Sequence, residues 1–196
     1  MESIKTLLIQ HDVDLLCVQE CDMYDAFWKA SWAALGYTSI YQKKTNTKQD
    51  GVGIVFDPTK YSIETTDSIP LNDITTSDPE LQGRLQRDNV ALFVRFRHQA
   101  TKQTFVIATT HLFWDPAQED VKLAQTQYVL KQLNRFNVHN DPVIFAGDFN
   151  SLPQSAVYTA IVESGLRSVH GQAEPEFTNF TATFHGTLDY IWYSSK

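Results

Sequence analysis

The sequence predicts an α/β sandwich, with mixed or antiparallel sheets inside and helices outside. Three observations predict it. Short apolar runs with strand composition recur along the chain. The segment VKLAQTQYVLKQLNRF (121–136) carries an amphipathic helical pattern. The strands come in runs between scattered helices, not in strict alternation with them.

Each element has its own signal. ESIKTLLIQH (2–11) reads as a helix with Ile4, Leu7 and Leu8 on one face. DLLCVQE (14–20) is a buried strand that delivers Gln19 and Glu20 to its end. Asp22 caps a helix that runs to Leu35, and Gly36 stops it. TSIYQKK (38–44) is strand-like, and TNTKQDG is a turn-rich loop. GVGIVFD (51–57) is a strand whose glycines point to a close backbone approach. Pro58 breaks it, and YSIETTDSIP forms a further short strand. Residues 67–89, rich in Asp, Asn, Ser and Thr, read as a long surface loop. NVALFVRFRH (89–98) and QTFVIATTH (103–111) form a hairpin. VIFAG (143–147) is a core strand, 154–165 holds a helix, and TLDYIWYS (187–194) is a final strand.

The totals bound the function. The chain has 196 residues, enough for one domain with a sizeable core. No internal repeat, low-complexity block or linker divides it. Its net charge of −7 argues against a protein that grips long nucleic acid by phosphate neutralisation alone. A short strand held in a pocket stays open, because metal ions supply positive charge there. No run approaches the roughly 20 apolar residues of a membrane span, so no membrane contact is expected. The N-terminus has no secretory pattern. Cys17 and Cys21 form neither a disulfide framework nor a zinc motif. They read as reduced thiols in a cytoplasmic or nuclear protein.

Polar residues collect at strand ends: Glu20 after DLLCVQ, His111 after FVIATT, Asp148 and Asn150 after VIFAG, and Asp189 within TLDYIW. Any one of them alone reads better as a cap, a turn or a packed side chain. Asp148 could cap the next helix or be held over a positive charge. Together they point to one site, since buried carboxylates are costly unless paired or metal-bound. Converging acids with oxygen donors suit Mg²⁺ or Mn²⁺ rather than Zn²⁺. Asn150 and His111 add neutral groups able to hold a phosphate oxygen.

VQE, THLFWDP, GDFNSLP and LDYIWYS resemble successive signature blocks of the endonuclease/exonuclease/phosphatase superfamily. The flanking text DGVGIVFDPTKY, LQRDNVALFV and FTNFTATFHGTLDYIWYS resembles its CCR4-type deadenylases and their angel, nocturnin and 2′-phosphodiesterase relatives. The resemblance implies a four-layer α/β sandwich, two mixed or antiparallel sheets flanked by helices. It implies a Mg²⁺-dependent 3′→5′ exoribonuclease that shortens poly(A) and releases AMP. The implied catalytic residues are His111, Asp148, Asn150 and Asp189. The implied metal ligands are Glu20, Asp148 and Asp189. Pro116 and Phe184 would sandwich the terminal adenine, and Asn89 would reach the substrate. Asp50 reads equally well as a substrate-side residue or a surface turn. The implied partners are a single-stranded RNA 3′ end and subunits of a deadenylase complex.

The family pattern also has an Asn-bearing strand before the first helix and a Ser-Asp-His strand after LDYIWYS. Neither is in these residues, so the resemblance implies a partial domain over 1–196, incomplete at both ends. Two other readings stay open. One is a different nucleotide phosphodiesterase on the same fold, acting on 2′,5′-oligoadenylate or a tRNA end. The other is a non-catalytic protein that binds RNA or a deadenylase complex.

Overall fold

The structure is a computed structural model that describes Thr6, residues 10–171 and residues 173–195. Of the helix expected over 2–11, Thr6, Gln10 and His11 are described; the first two are helical and His11 lies in a turn. The rest of that expectation lies outside the described residues.

Two β-sheets stack face to face. A three-stranded antiparallel sheet has the order β1 (Leu15–Val18), β3 (Gly51–Phe56), β2 (Thr38–Lys43). The larger sheet has six strands. Its order is β4 (Tyr61–Pro70), β5 (Val90–His98), β6 (Thr104–His111), β7 (Val143–Asp148), β11 (Asp189–Ser194), β8 (Leu166–Ser168). β9 (Asn179–Phe180) and β10 (His185–Gly186) form a small separate hairpin.

The alternation in β5 explains the layering, because successive side chains of a strand point to opposite faces. Val90, Leu92, Val94 and Phe96 pack with Val52, Ile54 and Phe56 of β3 between the sheets. Ala91 and Phe93 face the other way, into the core with Val129 and Leu133 of α3 (Glu119–Phe136) and Ile161 of α4 (Ala156–Glu163). On the outside of the small sheet, Trp32 of α1 (Lys29–Ala34) packs on Val55. The result is a helix, sheet, sheet, helix stack, as expected.

Two expectations need correction. Residues 67–89 are not one loop. β4 runs on to Pro70, a 3₁₀ turn covers Leu71–Asp73, and α2 covers Pro79–Arg84. Asp78 caps α2 by accepting from Glu80 N and Leu81 N, with Pro79 in the first turn. Buried Leu71, Ile74 and Leu85 tie this polar segment to the core. The helix expected from Asp22 is a π-helical turn (Tyr24–Trp28) followed by α1. Met23, in the left-handed region, precedes that turn, and no side chain caps it. The strands β8, β9 and β10 have two or three residues each, too short to show a period.

β6 and β7 form the parallel pair of the large sheet, with α3 as the crossover that parallel strands require. Gly147 lets the strands close at the C-terminal end. A Cβ there would meet the Thr110 carbonyl oxygen at 2.2 Å. Gly147→Ala is therefore expected to cost about 1–3 kcal/mol by overpacking. Chemical denaturation checks the loss. An unchanged midpoint would show that the two strand ends have room to part.

Candidate active site

The register of three neighbouring strands builds the site. His111 pairs with Asp148 across β6 and β7, and Asp148 pairs with Asp189 across β7 and β11. One imidazole and two carboxylates thus stand in a row at one edge of the sheet. His111 Nε2 lies 3.7 Å from Asp148 Oδ2, beyond hydrogen-bond range. The imidazole is 5% exposed. Burial, with Lys44 nearby, pushes its pKa down to about 4. It is neutral at pH 7, so the close approach to Asp148 is not an ion pair. His111 Nδ1 is buried without a partner.

Asp148 is pushed up to about 7. Burial is the main cause. The backbone N–H of Asn150 opposes it, while the charges of Asp189 and Glu20 add to it. Asp189 is tied down by Thr178, whose hydroxyl donates to Asp189 Oδ2 at 2.7 Å and accepts from Asp189 N at 3.0 Å. Glu20 lies just past β1, exposed, with φ +52°. The next residue is fixed by Cys21 N donating to Gly51 O at 3.2 Å.

Asp148 does not cap the following helix, since Ser155 does that by accepting from Tyr158 N. Asp148 Oδ1 instead accepts from Asn150 N at 2.8 Å. Asn150 sits at φ +46°, a region that Asn tolerates better than most residues. Its Nδ2 donates to Leu112 O at 3.0 Å, and its carbonyl accepts from Lys122 Nζ at 2.7 Å.

Lys122 was not a sequence candidate, and neither was Gln125. Both are buried on α3, with Thr126, along the stripe of Val121, Val129 and Leu133. Polar residues on the apolar face of a helix were the available signal. Gln125 accepts from Phe113 N at 2.9 Å and donates to Asn89 Oδ1 at 3.1 Å. Asn89 Nδ2 donates to His111 O at 2.8 Å. Asn89 is 4% exposed, so it stands behind His111 and holds its backbone. Asp50 pairs with Lys44. That pair places a positive charge near His111 and Asp148.

Pro116 and Phe184 come together. With Trp114, Lys122, Asn150 and Leu188 they line a cavity of about 330 Å³ beside the Asp148 loop. Asn89 does not line it. A larger open groove of about 1020 Å³, lined by Tyr158, Arg167 and Glu174, contains none of Glu20, His111, Asp148 or Asp189.

Among the described residues, no three His, Cys, Asp or Glu side chains form a ready metal cage. The donor chemistry still fits a hard cation. Mg²⁺ is usually held by one or two carboxylates, with water and substrate phosphate completing its shell. Asp148 and Asp189, facing each other across β7 and β11, are such a pair. Cys17 and Cys21 are free, and burial pushes their thiols up to about 12 and about 11.

The comparisons with known proteins give the family. The model of the Endonuclease/Exonuclease/phosphatase family matches residues 1–196. The chain belongs to that family. It is 32% identical over 246 residues to carbon catabolite repressor protein 4 homolog 4 of Arabidopsis thaliana, covering 98% of this chain and 59% of that protein. It is 28% identical over 248 residues to the CCR4-Not complex 3′-5′-exoribonuclease subunit Ccr4 of Saccharomyces cerevisiae, covering 98% of this chain and 30% of that one. The chain thus spans less than two thirds of both. The crystal structure of ANGEL2, a 2′,3′-cyclic phosphatase, superposes with a TM-score of 0.85 at 23% identity. That match covers 100% of this chain and 73% of the other.

The raised Asp148 pKa has a stability consequence. An acid whose folded pKa lies above its unfolded value, about 3.9, costs no stability below the unfolded value. It destabilises increasingly as pH rises to the folded pKa, and by a constant amount above it. Metal-free Asp148→Asn keeps an acceptor for Asn150 N and loses the charge. It is expected to melt higher than the parent at pH 8 and equally at pH 4, with Mg²⁺ raising only the parent. Thermal melts at both pH values check this, and equal melting at pH 8 refutes it.

Proposed function

We propose that the chain is a divalent-metal-dependent 3′→5′ exoribonuclease that shortens single-stranded A-tailed RNA and releases AMP. One observation carries the reading. The row of His111, Asp148 and Asp189 adjoins a nucleotide-sized cavity that has Pro116 and Phe184 on its walls.

Asp148, Asp189 and Glu20 would hold a Mg²⁺ or Mn²⁺, which would offset phosphoryl charge and lower the pKa of water. The chain's own groups do the rest. Asp148, beside the metal position, orients the attacking water and takes its proton. The water oxygen bonds to phosphorus as the P–O3′ bond breaks, and the 3′ oxygen of the shortened strand takes a proton from solvent and leaves as a hydroxyl. Neutral His111 and the Asn150 side chain hold the phosphoryl oxygens. Asn89, Gln125 and Lys122 fix the backbones that carry these two. Adenine stacks between Pro116 and Phe184, with an aromatic stack contributing about 1–3 kcal/mol per base.

The relative named as a CCR4-Not complex subunit supports a complex of that kind as partner. A second reading rests on the ANGEL2 superposition: opening of a terminal 2′,3′-cyclic phosphate by the same groups.

Incubation of 5′-labelled A-tailed RNA with Mg²⁺ tests the proposal, with RNA ending in a 2′,3′-cyclic phosphate alongside. Stepwise 3′ shortening with AMP release is expected, reduced about 10²–10⁴-fold in Asp148→Ala. Phe184→Ala should lower kcat/KM about 5- to 150-fold. Opening of the cyclic end with an intact tail would favour the second reading. A folded chain that turns over neither substrate overturns the proposal, and if it still binds the RNA it is a non-catalytic binder.

A further inference from the structure

Trp114 is 68% exposed, although it lines the cavity shared by Pro116 and Phe184. An exposed indole forgoes burial of a large apolar area, so its position calls for a reason. Loose structure is not one, because both neighbours are pinned. Phe113 lies under Arg87, whose guanidinium carbon is 4.6 Å from the ring centroid, and its N–H donates to Gln125. Asp115 accepts from Ala117 N at 2.9 Å and from Gln118 Nε2 at 2.8 Å. Gln118 Oε1 in turn accepts from Arg87 Nη2 at 2.9 Å. The segment is anchored on either side, and the indole between the anchors is held at the mouth of the cavity.

Resting on the exoribonuclease reading, we infer that Trp114 is a second base-stacking platform, binding the nucleotide next to the one held by Pro116 and Phe184. The cavity, at about 330 Å³, has room for one nucleotide. An adjoining base has to lie at its mouth, where the indole offers a free face. Charge supports a base-directed contact. The chain carries −7, so phosphate neutralisation contributes little, whereas stacking needs no positive protein charge. The occupant is single-stranded RNA of at least two nucleotides. Its affinity should depend on length more than on salt.

The test is the affinity of the full chain for AMP and for the dinucleotide A2, by titration calorimetry without Mg²⁺ so that A2 is not cleaved. The parent is expected to favour A2. In Trp114→Ala the A2-to-AMP affinity ratio should fall about 5- to 150-fold, the worth of one stacked base. Trp114→Phe should restore most of the ratio. An unchanged ratio in Trp114→Ala overturns the inference, and so does a parent that binds AMP and A2 equally or neither detectably. A Trp114-dependent ratio in a chain that turns over no A-tailed RNA with Mg²⁺ would refute the exoribonuclease reading and leave the platform standing.

Discussion

The pairing of β6 with β7 is the constraint on which the rest of the site depends. It is a parallel junction in an otherwise antiparallel sheet. Parallel strands start from the same end, so their polar C-terminal residues emerge side by side. His111 and Asp148 are neighbours for that reason. The antiparallel return of β11 brings its first residue, Asp189, to the same edge. A shift of one residue in either register would turn these side chains to the opposite face of the sheet. Site geometry and core packing are therefore set together by Val106, Ala108, Val143 and Phe145.

The same edge accumulates unfavourable electrostatics. A buried neutral imidazole and a raised carboxylate sit where apolar packing would be more stable, with the charges of Asp189 and Glu20 nearby. The surroundings offset this through hydrogen bonds. Asn89 and Gln125 satisfy the chain at His111 and Phe113, Lys122 satisfies the carbonyl of Asn150, and Thr178 holds Asp189. The polar half of the α3 stripe makes sense in this light. That helix packs against the core at Val129 and Leu133 and supports the site at Lys122 and Gln125.

Much of this was legible in the sequence where polarity interrupts periodicity. Asp148 and Asp189 could be read because apolar runs end or begin on them, and the strands could be read because their alternation is long. The roles of Asn89, Gln125 and Lys122 could not be. Each acts through a backbone group of a residue distant in sequence, and no local pattern encodes such a partner. The helix α2 was hidden for another reason. Its Asp, Pro, Glu and Gln are also turn residues, and what decides for a helix is a capping bond together with the burial of Leu85 nearby. The Asn150 turn was visible as punctuation, but its left-handed backbone was not.

The crossover through α3 also bears on how the molecule folds. β5 and β6 are joined by a tight turn and can pair early, before later segments are involved. β7 can dock on β6 only after the whole helix has been laid across the sheet, and Asp189 arrives later still. Pairings between segments far apart in the chain carry a large loop-closure cost and form slowly. The acids therefore meet at the end of folding, when most of the apolar surface is already buried. Chains that stall earlier expose the β6 edge rather than a half-built cluster of charge, and edge-to-edge association is the failure expected of them.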